Sequence, residues 1–412
     1  MLRTARMWTG IKSSICSEQK MSSKAMDAAT STSGGVAVTD PELKSLQDKI
    51  MVKVKTMLPS SVTSDNSMVS NHSVNQWHFH NTSTKKLPVE TPTLLVHGYA
   101  ASSMAFHRTF PMLSKNIRDL YAIDLPGNGL STTPEANLPK LRTNKMEFNK
   151  EYSQVKLAKS VDAGKEMDTL HNYEDYYLDK IEQWRTENHI DKFNIIGHSF
   201  GGYISFKYAI RYPEHIVDMG LISPLGMERN VYSLNNDFKK DTEYPVTQED
   251  PSSMYYSRNF KVPSFLFNSQ LNALRYLGPV GGSLTRKYID RAYATVPGTE
   301  YGDYLYHIFY KSDKFPKTTI NNFTNMFTRN LLAKDPILDN LPSVKANKVM
   351  LMYGDRDWMN GEAGFTMAQE LAESHNYKPH SAVDYVRVPN AGHNLFLDNP
   401  DYFSKHIIAF LS

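Results

Sequence analysis

The chain has 412 residues, a formal net charge of +3 and a single cysteine, Cys16. A charge this close to neutral argues against nucleic-acid binding, and a single cysteine excludes a disulfide framework. The apolar content of 40% suffices for a buried core, and no apolar run reaches the length of about 18 residues that a transmembrane helix needs.

The N-terminal region differs in composition from the rest of the chain. Residues 1–20 hold four basic residues against one acidic residue, Glu18, which is typical of a mitochondrial presequence. A Ser/Thr-rich segment follows, with one predicted helix near Pro41–Met57 that we expect to pack on the domain. We therefore predict that residues 1–73 form an N-terminal tail and that the protein is mitochondrial and peripheral to a membrane. Cytosolic and lipid-droplet locations are the alternatives.

From residue 74 onwards, predicted strands and helices alternate, which indicates an α/β fold with a mostly parallel, doubly wound sheet. The fold is expected to occupy residues 74–224 and 346–412, and the polar stretch 134–170 is predicted to be an exposed loop. The predicted strands lie near Trp77–His80, Thr93–His97, Asp119–Asp124, Phe193–Gly197, Met219–Ser223, Val349–Tyr353 and Asp384–Val388, and the predicted helices near Tyr173–Asn188, Tyr203–Tyr212, Gly364–Ser374 and Pro400–Leu411.

One motif points to covalent catalysis. Residues 195–203 read Ile-Ile-Gly-His-Ser-Phe-Gly-Gly-Tyr, between an apolar strand and a helix. Strand, G-x-S-x-G and helix in succession are typical of the nucleophile elbow of an α/β-hydrolase. The turn is so sharp that side chains at Gly197 and Gly201 would clash, which leaves Ser199 as the predicted nucleophile.

The partners of the serine follow in the order acid, then histidine, in this fold. His393 lies just after the last predicted strand, where a loop would present the imidazole. The preceding strand ends in Gly354-Asp355-Arg356-Asp357. We favour Asp357 as the acid, because the extra residues let the chain leave the strand first. Asp355 is the alternative acid, and otherwise a turn residue that binds local backbone N–H groups.

Acyl transfer also needs preplaced N–H groups for the negative charge that develops on the carbonyl oxygen. A buried strand ends in His97-Gly98, and we assign the oxyanion hole to the backbone N–H groups of Tyr99 and Phe200. The ring of His97 is expected to hydrogen-bond nearby backbone, and His198 to pack beside the elbow.

A long insertion, residues 225–345, interrupts the alternation and is predicted to be a lid. Between Pro251 and Glu300 it holds eight aromatic residues and six basic residues against two acids. An aromatic lid with excess positive charge suits a substrate with acyl chains and a phosphate, and Arg258, Arg275 and Arg286 are the candidate phosphate ligands. The alternative is an amphipathic cap whose aromatics fill its own core and whose charges are solvated.

Two further patterns suggest other kinds of site, a metal site and an acyltransferase dyad. His78 and His80 share one face of a strand, as metal ligands could, but the sequence places no third ligand, so we predict no metal. His393 and Asp398 match the H-x4-D pattern of membrane acyltransferases. Asp398 is more simply the N-cap of the last helix, and the acyltransferase dyad is the alternative.

These motifs together resemble one family. The segments His97–Phe106, Asp119–Asn128, Gly197–Gly202 and Gly392–Asp398 are similar to those of the abhydrolase-four/five lipid enzymes, and most of all to the fungal branch. That branch includes cardiolipin-specific deacylases and proteins described as lysophosphatidic-acid acyltransferases. Some members lack the serine, whereas Ser199 is present here. The resemblance implies a phospholipid or lysophospholipid substrate and peripheral membrane contact.

The predicted reaction passes through an acyl-Ser199 intermediate. Water as acceptor would make the protein a phospholipase-type deacylase acting on a cardiolipin-like phospholipid, which is the function we favour. A lysophosphatidic acid hydroxyl as acceptor would make it an acyltransferase, with acyl-CoA as a possible co-substrate and no other cofactor. A non-catalytic lipid-binding regulator and a peptidase are lesser alternatives.

Overall fold

The computed structural model describes residues 40–313, 315–374 and 383–412. The predicted presequence lies outside the described residues. The strands are β1 (Val62–Val69), β2 (Val74–Asn81), β3 (Thr93–Val96), β4 (Asp119–Ile123), β5 (Lys145–Phe148), β6 (Gln154–Lys159), β7 (Phe193–His198), β8 (Ile216–Ile222), β9 (Glu243–Pro245), β10 (Lys348–Gly354) and β11 (Val383–Val388).

The helices connect and cover these strands. They are α1 (Pro41–Met57), α2 (Phe110–Asn116), α3 (Ala163–Glu187), α4 (Phe200–Arg211), α5 (Ser264–Ser269), α6 (Leu271–Tyr276), α7 (Gly278–Ala292), α8 (Glu300–Tyr306), α9 (Lys317–Met326), α10 (Gly361–Glu373), α11 (Leu395–Asp398) and α12 (Pro400–Leu411).

Within the described chain, eight strands form the main sheet in the order β1-β2-β4-β3-β7-β8-β10-β11. The pairs from β4 to β11 are parallel, whereas β1–β2 and β2–β4 are antiparallel. The prediction of a mostly parallel sheet is therefore confirmed. Parallel strands bury both faces, and hydrophobic clusters lie on both sides of this sheet. The carboxyl ends of β3, β7, β8 and β10 meet at one edge.

The boundary of the fold lies earlier than the predicted residue 74. The helix predicted at Pro41–Met57 is present as α1 and buries Leu43, Ile50 and Val54. Strand β1 pairs along its whole length with β2 and forms the outer strand of the sheet. Its sequence, Val-Thr-Ser-Asp-Asn-Ser-Met-Val, is largely polar because an outer strand keeps one face near solvent. The strand therefore has no hydrophobic alternation by which the sequence could reveal it.

The predicted exposed loop over residues 134–170 was also wrong in part. Strands β5 and β6 form a hairpin there, and β9 from the insertion pairs with β6 to complete a small separate sheet. Helix α3 begins at Ala163, where the Asp162 side chain accepts a hydrogen bond from Lys165 N. Both strands of the hairpin alternate polar and apolar residues, but they are only four and six residues long and lie within a polar stretch, so the prediction missed them.

The insertion between β8 and β10 contains β9 and helices α5 to α9. Several of its helices are short, and α5, α6 and α7 follow one another almost without a connecting loop. In the described part of the chain, every helix is too short or too polar to cross a membrane.

Candidate active site

Ser199 lies in the sharp turn between β7 and α4. Its backbone has φ +54° and ψ −118°, a conformation that residues other than glycine seldom adopt. The neighbouring glycines make this turn possible. A Cβ on Gly197 would lie 2.4 Å from the carbonyl oxygen of Gly201, and a Cβ on Gly201 would lie 2.2 Å from that of His97. The structure therefore has the strained turn that the motif predicts.

Of the two candidate acids, Asp357 is the one that contacts His393. Its Oδ1 lies 3.1 Å from His393 Nδ1 and accepts a hydrogen bond of 3.0 Å from Met359 N, while Ser223 Oγ donates to Oδ2. Burial alone would raise the pKa of Asp357, but the hydrogen bond and charge of His393, with the bond from Ser223, leave the pKa below its usual value. The carboxylate is therefore ionised at neutral pH.

The alternative acid, Asp355, has a structural place beside the same loop. Its two carboxylate oxygens accept hydrogen bonds of 2.9 Å from Asn390 N and 3.0 Å from Ala391 N. Asp355 thus fixes the backbone that leads to His393 without contacting the imidazole.

Ser199 and His393 line the same cavity of about 680 Å³. His198 lies beside them: its Nε2 is 3.0 Å from the carbonyl oxygen of His393, and the two imidazole rings are 4.7 Å apart. Burial lowers the pKa of His198 well below its usual value. The ring is therefore neutral and packs beside the elbow, as expected.

The cavity is lined mainly by apolar side chains from the insertion, with Tyr99 from the core and the half-exposed Trp358 next to His393. Its volume and lining are typical of a site that buries the hydrocarbon part of a ligand. The insertion contributes Leu271, Leu274, Leu284, Tyr288, Phe309 and Phe323.

The two predicted oxyanion donors flank the serine. Phe200 follows Ser199 directly and begins α4, while Tyr99 lines the cavity at the end of β3. Among the described residues, no protein group accepts a hydrogen bond from either backbone N–H. The N-terminus of α4 adds a positive partial charge at this point. The assignment of these two N–H groups to an oxyanion hole stays a prediction.

His97 has the structural place that the sequence suggested. Its Nδ1 donates to the carbonyl oxygen of Gly98 at 2.6 Å, and its Nε2 accepts from Leu125 N at 2.9 Å. Burial lowers the pKa of His97, which keeps the ring in the neutral form that can both donate and accept. The ring therefore fixes the loop that carries Tyr99.

The N-cap prediction for Asp398 was wrong. The side chain of Asn399, one residue later, caps α12 by accepting a hydrogen bond from Tyr402 N. Asp398 instead accepts 2.8 Å hydrogen bonds from Gly392 N and from Thr295 Oγ1 of the insertion. The carboxylate thus holds the residue before His393, and its hydrogen bonds go to these groups rather than to the imidazole.

The three arginines predicted to bind phosphate do not line the cavity. Arg258 donates to the buried carboxylate of Glu228, and Arg286 pairs with Asp303 at 2.9 Å. Arg275 donates to the carbonyl oxygen of Ile308 at 2.7 Å. Each guanidinium is therefore used to hold the insertion together, a use that a count of charges does not reveal.

Two contacts near the site escaped the sequence analysis. Ser223 is the residue after β8 and reaches Asp357 only because β8 and β10 are neighbours in the sheet. The Tyr99 hydroxyl donates a hydrogen bond to Oε1 of Gln270, a residue of the insertion that lies between α5 and α6. Neither pair is close in sequence, so no local pattern marks either contact.

Comparison with known proteins identifies the fold and the family of the chain. A family model described as the alpha/beta hydrolase fold matches residues 91–400. The protein named 1-acylglycerol-3-phosphate O-acyltransferase ICT1 of Saccharomyces cerevisiae is 45% identical over 399 residues, which cover 95% of this chain and 98% of that protein. Protein ECM18 of the same yeast is 44% identical over 341 residues, which cover 82% of this chain and 74% of that protein.

More distant matches include a human relative and a solved bacterial structure. The human protein named 1-acylglycerol-3-phosphate O-acyltransferase ABHD5 is 25% identical over 334 residues, which cover 80% of this chain and 78% of that protein. Among solved structures, a membrane phospholipase A described as a bacterial virulence factor superposes with a TM-score of 0.52. The match covers 90% of this chain and 91% of that chain at 17% identity, so it shows a shared fold. The chain belongs to the abhydrolase-four/five family of α/β-hydrolases, in its fungal branch.

Proposed function

We propose that this protein transfers an acyl group to the free hydroxyl of 1-acylglycerol-3-phosphate, with acyl-CoA as donor and Ser199 as nucleophile. The observation that carries the proposal is the hydrogen bond between His393 and Asp357 in a loop that shares an apolar cavity with Ser199. The names of the relatives support acyl transfer more than the phospholipase-type deacylation of cardiolipin that the sequence analysis favoured.

In the first half-reaction, His393 takes the hydroxyl proton of Ser199 as Oγ attacks the thioester carbonyl. Asp357 stabilises the imidazolium that forms, and the N–H groups of Tyr99 and Phe200 bind the oxyanion. The C–S bond then breaks, and the CoA thiolate leaves with the proton from His393. The acyl group remains on Ser199.

In the second half-reaction, the acceptor hydroxyl gives its proton to His393 as its oxygen attacks the acyl-serine carbonyl. The bond from the carbonyl carbon to Oγ breaks, and Ser199 recovers the proton from His393. Water can replace the acceptor in the same position, and free fatty acid is then the product. The ratio of transfer to hydrolysis therefore depends on how well the cavity excludes water.

We propose that the protein takes its lipid substrate from a membrane surface through α7. Leu277, Val280, Leu284 and Tyr288 form a stripe along this helix, and each is about half exposed or more. We call these four residues the α7 apolar stripe. Leu284 and Tyr288 also line the catalytic cavity, so the stripe leads from the surface to Ser199.

The charged side chains of α7 favour binding to a membrane that contains anionic lipids. Lys287 and Arg291 lie on exposed positions of α7, against one exposed acid, Asp290. A helix with an apolar stripe beside basic side chains is suited to the interface of a membrane with anionic lipids. The basic composition of residues 1–20 supports a mitochondrial location, which an import assay with and without these residues tests.

The central experiment measures both products of purified protein incubated with radiolabelled acyl-CoA and 1-acylglycerol-3-phosphate. We expect labelled phosphatidic acid in excess of labelled fatty acid, and loss of both with Ser199→Ala. Fatty acid alone would favour the deacylase. Neither product, together with unchanged binding of 1-acylglycerol-3-phosphate by the Ser199→Ala variant, would indicate a non-catalytic lipid-binding protein.

A further inference from the structure

The strand pairing brings a third metal-ligand group to the two histidines of β2. His78 Nε2 lies 2.8 Å and His80 Nδ1 lies 2.7 Å from the same oxygen, Oδ1 of Asp119. One ligand atom from each of the three side chains lies within 4.8 Å of the others. The reason for discounting a metal at the sequence level, the missing third ligand, therefore does not hold in the structure.

The sheet itself fixes this arrangement. His80 is the register partner of Asp119, and His78 is the register partner of Tyr121, in the antiparallel pair of β2 and β4. Residues two apart on a strand share a face, and cross-strand partners are neighbours on that face. The ring of Tyr121 stacks on that of His78, with centroids 4.2 Å apart and planes 4° from parallel. This stacking therefore holds the imidazole of His78 in a fixed orientation.

The three side chains are open to ions in solution. Their exposed fractions are 28% for His78, 44% for His80 and 23% for Asp119. This leaves room for water molecules to complete a coordination shell around a bound ion.

A second cluster of possible metal ligands in the described chain differs from this one in its neighbours. His171, Glu174 and Asp335 also lie within ligand distance of one another, but the buried ammonium of Lys207 is paired with Asp335 and lies 3.5 Å from Glu174. That cluster contains its own cation.

The cationic residue next to Asp119 in sequence, Arg118, binds other groups. The guanidinium of Arg118 pairs with Glu90 at 2.9 Å and donates to the carbonyl oxygens of Asn81 and Ser83. The hydrogen bonds to the Asp119 carboxylate come instead from the two imidazoles, which can exchange a proton for a metal ion.

We propose that His78, His80 and Asp119 bind one divalent transition-metal ion, with Zn²⁺ as the probe. Two imidazole nitrogens and a carboxylate oxygen are ligands that Zn²⁺ takes at about 2.0–2.2 Å, with water in the remaining position. The imidazoles favour such an ion over Mg²⁺, which prefers oxygen ligands. A bound ion would link β2 to β4 and is independent of the reaction at Ser199.

The test is calorimetric titration of the full chain with Zn²⁺, in a Cys16→Ser background that removes the one thiolate ligand. We expect one equivalent to bind, and His80→Ala and Asp119→Asn each to weaken binding by roughly tenfold or more, because each removes a direct ligand. His72→Asn is the matched control, since His72 is an exposed imidazole outside the cluster whose left-handed backbone asparagine tolerates.

Two further readouts separate ligand loss from misfolding. Zn²⁺ should raise the Tm of the unsubstituted chain and of His72→Asn but not of Asp119→Asn, and Co²⁺ should give a visible absorption band that His80→Ala loses. Mg²⁺ should not compete. Failure of the Cys16→Ser chain to bind one equivalent, or equal affinity after His80→Ala or Asp119→Asn in that background, would overturn the proposal.

Discussion

The hydrolase core and the insertion hold their side chains by different means. In the core, backbone geometry close in sequence places Ser199 and Asp357, through a glycine-bounded turn and a strand end, while Asp355 holds the backbone of the loop that carries His393. In the insertion, charged side chains are held by other side chains or by carbonyl oxygens, as Arg258 is held by Glu228 and Arg275 by Ile308. Local sequence therefore predicts the position of a core group, whereas the role of a lid residue depends on which partner the fold brings to it.

The largest expected effect lies in the core. Ser199→Ala should lower acyl turnover by roughly 10⁴-fold or more, as loss of a triad nucleophile does. The free energy of unfolding should change little, because the glycines shape the elbow. Product formation and urea unfolding measure the two quantities. Retention of more than a few per cent of the turnover would contradict the assignment of the nucleophile.

The next effect separates the two acids. Asp357→Asn should lower kcat by roughly 10⁴-fold, because His393 loses the carboxylate that orients it and stabilises its protonated form. Asp355→Asn is the matched control and should be much milder, since Asp355 binds the backbone N–H groups of Asn390 and Ala391 and the side chain of Arg356 rather than His393. Steady-state kinetics of both variants decide the question, and a reversed order would assign the acid to Asp355.

A smaller effect is expected in the insertion. Val280→Ser should weaken binding to vesicles of equal parts phosphatidylcholine and phosphatidylserine by roughly tenfold, because it removes most of the free energy of burying one valine side chain. Val52→Ser on α1 is the control, with 64% exposure against 63% for Val280. Vesicle co-sedimentation measures both variants. Equal losses of vesicle binding in the two variants, or no loss in either, would contradict membrane contact through α7.

The smallest effect concerns the contact between the two regions. Asp398→Ala removes the hydrogen bonds to Gly392 and Thr295 and should cost about 1–3 kcal/mol of unfolding free energy, with a modest loss of kcat. Asn399→Ala removes the cap of α12 and the hydrogen bond from Nδ2 to the carbonyl oxygen of Pro389, and should cost about 1–2 kcal/mol without a change in kcat. Thermal unfolding and kinetics of the pair test this. Selective loss of acyl transfer in Asp398→Asn, with hydrolysis spared, would instead support an H-x4-D dyad.

The sequence predicted most of the sheet, the strained turn at Ser199 and the pairing of Asp357 with His393, because local patterns mark the strands and the turn. A nucleophile elbow needs glycine at fixed positions, and buried parallel strands are continuous apolar runs. It missed β1 because an outer polar strand lacks that pattern, and it missed Asp119 as a partner of His78 because strand register is not visible in sequence. The residue that caps α12 was misplaced by one position, since both Asp398 and Asn399 have suitable side chains.

The contacts of α1 also set a limit on N-terminal processing. Asp40 caps α1 and lies 2.5 Å from His307 Nε2 of the insertion, and Lys53 pairs with Glu300 at 2.6 Å. Helix α1 therefore braces the lid, and β1 closes the sheet beside it. A protease that cut between α1 and β1 would remove α1, and a cut after β1 would also remove the outer strand of the sheet. We therefore expect a cleavage that keeps these contacts to fall before Asp40, so the position of the N-terminus and the stability of the insertion are linked.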